Sequence, residues 1–241
     1  MNKHDENLNN TYYQSLEENF KHAIELFEQD LSQEKLLELL KTGNILQKQI
    51  AALKISTINN EEEAYVLCSN LTGNDGKVRE ATSLKLLELS KSYIEYFKTE
   101  VNYQIFLDAI IDVNPNICRN MLEIIKTLKS DKNFIDFFIP KLVNQTKTLI
   151  NEVEKFDFQD GKYKINKEVF KLYWYLEAIY ELTDYITLTD LKSIIEKTKD
   201  INEYTIREKT AKILTKNFDD ETCQKIKEFL KRDKNYYVRR F

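Results

Sequence analysis

Asp75-Gly76-Lys77-Val78-Arg79-Glu80-Ala81-Thr82-Ser83-Leu84-Lys85-Leu86-Leu87 is the stretch that decides the reading of this chain. A turn residue leads into a β-branched residue and an arginine, and apolar residues then follow at helical spacing. The phrase returns as Ile206-Arg207 and Val238-Arg239, with looser copies at Leu46-Gln47 and Ile117-Cys118. Aligned on the aliphatic residue, the copies fall at 46, 78, 117, about 169, 206 and 238, at intervals of 32, 39, 52, 37 and 32 residues. A polar loop precedes five of them, for example Lys41-Thr42-Gly43-Asn44, Asn114-Pro115-Asn116 and Arg232-Asp233-Lys234-Asn235. Periods in this range mark stacked helical hairpins.

Composition agrees. The chain has 241 residues, 42% hydrophobic and 32% charged, enough apolar content for a core. It has only 4 glycines and 2 prolines, too few for a β-sandwich or a dinucleotide-binding fold, so long helices with short polar loops are expected. The net charge of −4 advertises no nucleic acid. The ends differ: residues 1–40 hold nine acids against three lysines, and residues 212–241 hold nine Lys or Arg against five acids. Three cysteines at 68, 118 and 223 show neither an even count nor a C-x-x-C pair, and are read as core thiols. The polar start MNKHDENLNN is no signal peptide and is expected to be disordered over residues 1–10. With no apolar run near ~20 residues, the chain is expected to be cytoplasmic.

Helices follow one another along the chain. Tyr13, Leu16, Phe20, Ile24 and Phe27 give one apolar stripe over residues 11–30. Gly43 is expected to end the next helix in the left-handed conformation. Asn60 with Glu63 reads as a capping box. Pro140 predicts a kink or a break within residues 134–150. Residues 151–167 depart from the pattern. Around Asp160-Gly161, residues 156–165 alternate as a β-hairpin would; the alternative is a long loop inserted in the stack. Helices are expected to resume at about Lys167, with a helix from Val169 to Ile179 that is apolar nearly all round.

This pattern resembles the HEAT repeat, in the wider class of armadillo-type α-solenoids. The resemblance implies one all-α domain over residues 1–241, built of about five to six helical hairpins, each with helices A and B. In that family an Asp in the turn and an Arg early in helix B often form a polar ladder between adjacent repeats. The positions that match are Asp75 and Asp233 for the turn, and Arg79, Arg207 and Arg239 for helix B. Half of the six arginines in the chain occupy that slot, where a planar fork suits bridging. Gln47 and Cys118 depart from it.

No catalytic set emerges. The two histidines, His4 and His22, lie together near the start, so neither a Ser-His-acid nor a Cys-His arrangement is expected. No residues have metal-ligand spacing, and Gly73-Asn74-Asp75-Gly76 lacks the phosphate-loop lysine, so no cofactor or metal is expected. Some HEAT-like proteins are DNA alkylation-repair glycosylases, a resemblance that implies a basic groove and several tryptophans. Here Trp174 stands alone and the charge is negative. The expectation is a non-enzymatic scaffold that binds another protein on the concave face of its B helices. The alternative is a nucleic-acid binder. Lys234, Tyr236, Tyr237 and Arg240 are candidate partner-binding residues, because cations interleave with aromatics there. The same segment is equally the start of a packed repeat, and its half-made state implies either a capping turn or a chain that continues past Phe241.

Overall fold

The computed structural model describes residue 21 and residues 24–155, 162–216 and 218–241, with no side-chain detail for 162–166. Twelve α-helices are named here in chain order: α1 (Gln33–Thr42), α2 (Ile45–Lys54), α3 (Glu61–Ser69), α4 (Gly76–Tyr93), α5 (Glu100–Ala109), α6 (Pro115–Leu128), α7 (Lys132–Glu154), α8 (Lys162–Leu182), α9 (Leu188–Thr198), α10 (Tyr204–Ile213), α11 (Glu221–Leu230) and α12 (Tyr236–Arg239). Short 3-10 turns follow α3, α4 and α8. No strand occurs among the described residues.

The order of packing defines a solenoid. Odd-numbered helices pack on odd neighbours, α1 on α3, α3 on α5 and so on to α9 on α11. Even-numbered helices do the same from α2 on α4 to α10 on α12. Among the described residues, α1 to α12 make two layers and six hairpins, each hairpin contributing one helix to each layer. A lone hairpin cannot cover its apolar face; its neighbours do, so one buried cluster runs from Leu26 through Phe106, Leu142 and Leu176 to Val238. The all-α solenoid expected from the repeat is what the chain forms.

Local signals explain most helix starts. Asp75, Asn114, Glu203 and Asn235 cap the starts of α4, α6, α10 and α12 by accepting backbone N–H bonds. Each sits four residues before the slot that holds Arg79, Cys118, Arg207 or Arg239. Gln47 fills its place in α2 differently. It closes a full capping box with Asn44, its backbone N–H donating to Asn44 Oδ1 and its Oε1 accepting from the Asn44 N–H, both at 2.9 Å. Asn60 caps α3, but Glu63 reaches back to the N–H of Asn59, not Asn60.

Several expectations are corrected. Gly43 is extended (φ −64°), not left-handed; a Cβ there would meet the Leu39 carbonyl oxygen at 2.5 Å, so the glycine is needed for space. Of the kink or break expected at Pro140, the break does not occur: α7 continues through it. The proline is exposed, as is Asp136, so the carbonyl freed four residues back faces water, while Phe134, Phe138 and Leu142 anchor the other side. α8 starts at Lys162, so the expected second strand of the hairpin, residues 163–165, is helix. A four-residue alternation is weak against a long helix that propagates from a buried segment. Residues 156–161 lie outside the described residues, as do residues 1–20 with the expected disorder of 1–10 and most of the first stripe. Of that stripe, Ile24 and Phe27 are exposed and Leu26 is the buried residue.

Candidate functional site

Two Arg–Asp ion pairs join adjacent turns, one to Asp233, which the sequence suggested, and one to Asp112, which it did not. Arg79 forks onto Asp112, with Nε to Oδ2 at 2.5 Å and Nη2 to Oδ1 at 3.3 Å. Arg207 does the same to Asp233, at 2.6 and 3.2 Å. In both, Nη1 turns back and donates to two carbonyls of the arginine's own turn, six and five residues earlier. These are Gly73 and Asn74 for Arg79 (2.8 and 3.0 Å), and Ile201 and Asn202 for Arg207 (both 2.8 Å). Each guanidinium thus ties its own turn to the turn of the next hairpin. Both pairs are nearly buried: Arg79 and Asp112 are 13% and 7% exposed, and Arg207 and Asp233 8% each. The Arg207 guanidinium, against some burial cost, holds the Asp233 carboxyl below the usual carboxylate range.

Asp75 takes no part in a rung. It stands four residues before the arginine slot and caps α4, accepting from the N–H groups of Lys77 and Val78 at 2.9 and 3.0 Å. The ladder acid stands six before the slot, where Asp112 precedes Cys118 and Asp233 precedes Arg239. Asp112 was missed because its own hairpin has Cys118 in place of arginine. The signal that finds it is Asp-x-Asn, shared by residues 112–114 and 233–235. In each, the Asp also accepts the N–H of the Asn two residues on, at 2.8 and 2.7 Å. Where the preceding hairpin lacks the arginine, the acid is missing too: Gln47 is followed by Gly73, and the slot at Phe170 by Ile201. The Cys118 thiol makes the surviving half of the clamp, donating to the Asp112 carbonyl at 3.1 Å. Burial, with Asp112 nearby, pushes that thiol up to about 12. All three cysteines are buried and unpaired.

Arg239 repeats the backward clamp, donating to the carbonyls of Asp233 and Lys234 at 3.1 and 2.9 Å. Around it lie the predicted contact residues. Tyr236 and Tyr237 are 63% and 52% exposed, Tyr237 lies 6.2 Å from Tyr204, and Arg239 stands over the Tyr236 ring at 5.9 Å. Lys234 is exposed. Arg240 is engaged, donating to Glu208 on α10 at 2.7 Å. Beside this cluster a cleft of about 860 Å³ is lined by both signs of charge, including Lys199, Asp200, Glu228 and Arg232, with Phe229 in its wall.

A second charged set joins α8 to α10, where the arginine rung is missing. Glu177, the one acid of the largely apolar Val169–Ile179 stretch, accepts from Lys209 at 2.5 Å and Lys212 at 2.6 Å. Burial opposes ionisation of Glu177, but the two lysines outweigh it and hold the carboxyl below its usual range. Burial likewise opposes the charge on Lys209, and the contacts to Glu177 and Tyr173 outweigh it, so its pKa is raised. Lys209 lies over the Tyr173 ring at 4.4 Å, and Lys212 and Lys216 over Tyr180 at 4.2 and 4.8 Å. The signal for this set was a lone acid within Val169–Ile179, facing lysines three apart. Further along the even layer, Glu80 accepts from Asn116 and Lys126 approaches Glu181 at 3.5 Å. The face is mixed in sign.

Among the described residues no group of His, Cys, Asp or Glu is placed to hold a metal, and no helix is long and apolar enough to cross a membrane. Trp174 is buried against Phe170 and Tyr173. Hairpins stacked in two layers define an α-solenoid. Among the solved structures similar to it are two designed or engineered proteins. One is an engineered protein, 13% identical, with a TM-score of 0.41, covering 81% of this chain and 93% of that one. The other is a designed armadillo repeat protein, 14% identical, with a TM-score of 0.41, covering 86% and 94%. No family model matches the chain, and no curated protein matches it.

Proposed function

We propose that this chain is a non-enzymatic, cytoplasmic scaffold that binds a protein partner along its even-helix layer. The observation that carries the proposal is the mixed face of α8, α10 and α12. Tyrosines 173, 180, 204, 236 and 237 alternate there with cations, and glutamates at 177 and 208 interrupt the positive charge. Tyrosine supplies large contact area at little cost in side-chain entropy, and tyrosine and arginine are enriched in protein-binding hot spots. A surface for the phosphate backbone would be continuously basic. Lys234, Tyr236, Tyr237 and Arg240 extend the face to the end of the stack.

The test is a photo-crosslinking residue at position 180 or 204 in cells, with the adducts identified by mass spectrometry. One predominant protein adduct is expected, and Tyr180→Ala should weaken the isolated complex by about tenfold or more. Oligonucleotide titrations at low and physiological salt should show no saturable binding. Salt-sensitive binding to RNA or DNA with no protein adduct overturns the proposal.

A further inference from the structure

Three lysines and one carboxylate meet where α10 packs on α8. Lys209 and Lys212 stand on α10, and Lys216 follows three residues after its end. Among the described residues the one acid they reach is Glu177, and both its oxygens are taken: Oε1 faces Lys209 at 2.5 Å and Oε2 faces Lys212 at 2.6 Å. Lys216 joins Lys212 over the Tyr180 ring, at 4.8 and 4.2 Å. Among the described residues no carboxylate meets Lys216. The neighbouring acids are already held, Glu181 by Lys126 at 3.5 Å and Glu208 by Arg240 at 2.7 Å. Three cations against one anion leave two positive charges in excess, and they gather at one half-buried tyrosine. An ammonium has three donors, so both Lys212 and Lys216 keep donors for a further acceptor.

We propose that Lys212, Lys216 and Tyr180 dock an acidic segment of a partner protein, one carboxylate of which bridges the two ammonium groups beside the ring. The inference rests on the protein-binding reading and names the chemistry the partner brings. Charge complementarity argues for this occupant: the excess is positive, and its donors are held in place by the ring and by Glu177. The width of the positive ground argues for a short acidic segment over a phosphate backbone. Glu177, Glu181 and Glu208 border it on α8 and α10, so a repeating line of phosphates would run against carboxylates, while a single side-chain carboxylate fits between them. Tyr173 and Tyr180 offer flat, rigid area for the rest of the segment.

The test follows the ring signals of isotope-labelled tyrosine by NMR. The chain has 14 tyrosines, and Tyr180→Phe assigns the relevant signal. The probe is synthetic hexaglutamate at low salt. The Tyr180 signal should shift to saturation while that of Tyr65, exposed on α3, stays fixed. Lys216→Glu leaves every ion pair described above in place, so the chain should fold, and the saturable shift should be lost. Lys216→Arg, which keeps the charge, should retain it. Any of four outcomes overturns the proposal: Tyr180 unmoved by hexaglutamate, an equal shift with hexaglutamine or with inorganic phosphate, an unchanged titration in Lys216→Glu, or tighter binding of a single-stranded oligonucleotide than of the peptide. The titration needs no natural partner. A protein adduct in the crosslinking together with a failed titration removes this inference alone, whereas a missing adduct removes the reading beneath it.

Discussion

The α4/α6 and α8/α10 junctions meet the same need with charges placed in opposite order. At α4/α6 the cation belongs to the earlier hairpin and the acid to the later one, and both sit at the turn. At α8/α10 the acid, Glu177, belongs to the earlier hairpin and the lysines to the later one, well inside the helices. The difference follows from where the helix begins. In α4, α6, α10 and α12 the aliphatic slot residue is the third of its helix, next to the turn. In α8 the corresponding Val169 is the eighth, so a side chain at the slot has no turn carbonyls to clamp. A buried charge pair in mid-helix takes the place of the rung.

The largest expected effect separates a rung from a surface ion pair. Arg207→Ala should destabilise the chain by about 3–5 kcal/mol in urea unfolding, because Asp233 is left buried without its partner. Asp112→Ala, which strands Arg79, should approach that cost. An exposed pair such as Lys132 with Asp136 should leave stability almost unchanged on either truncation, because water screens both charges. Equal losses at the two kinds of site would break the distinction.

Next comes the reversed junction. Glu177→Gln should cost about 2–3 kcal/mol at neutral pH, since hydrogen bonds to two cations are weakened. The Glu177 carboxyl is lowered in the folded chain, so its contribution is complete above the unfolded value of about 4.3 and is lost as pH falls through the folded value. The gap between the melting temperatures of the parent and Glu177→Gln should therefore be constant from neutral pH down to about 5 and close in stronger acid. A gap independent of pH would show that the carboxylate charge plays no part.

The smallest effect tests the two aspartates the sequence placed in one slot. Asp75→Ala removes a helix cap and should cost about 1 kcal/mol, and Asp75→Asn, an equally good cap, only a few tenths. A loss at Asp75 as large as at Asp112 would restore it to the ladder.

The repeat, the two-helix unit and the ladder arginines were legible because backbone geometry demands those residue types at fixed offsets. Asp112 was not, because alignment on the arginine compared Asp75, four residues before the slot, with Asp233, six before it. Residues 162–165 misled because local preference ran against a helix that propagates from the buried segment after Val169, while the break at Pro140 is overridden by the buried Phe134, Phe138 and Leu142 on either side of it. Gly43 was recognised as a helix end, but the clash that requires it comes from Leu39, one turn back. The even-layer face was illegible, since periodicity places tyrosines and lysines on helices without showing which meet across a junction.

The ladder also works as a length gauge. Helices of this stack vary from 4 residues in α12 to 23 in α7, and the interval between aliphatic slot residues varies with them. In the hairpins with a clamp, the distance from the slot back to the first clamped carbonyl is always six residues. One residue added inside that turn would carry the carbonyls out of reach and displace the acid meant for the hairpin before. Residues added between the layers elsewhere leave every rung intact. Inheritance of insertions in such a chain is therefore channelled: the helices can lengthen, while the six-residue turn keeps its count.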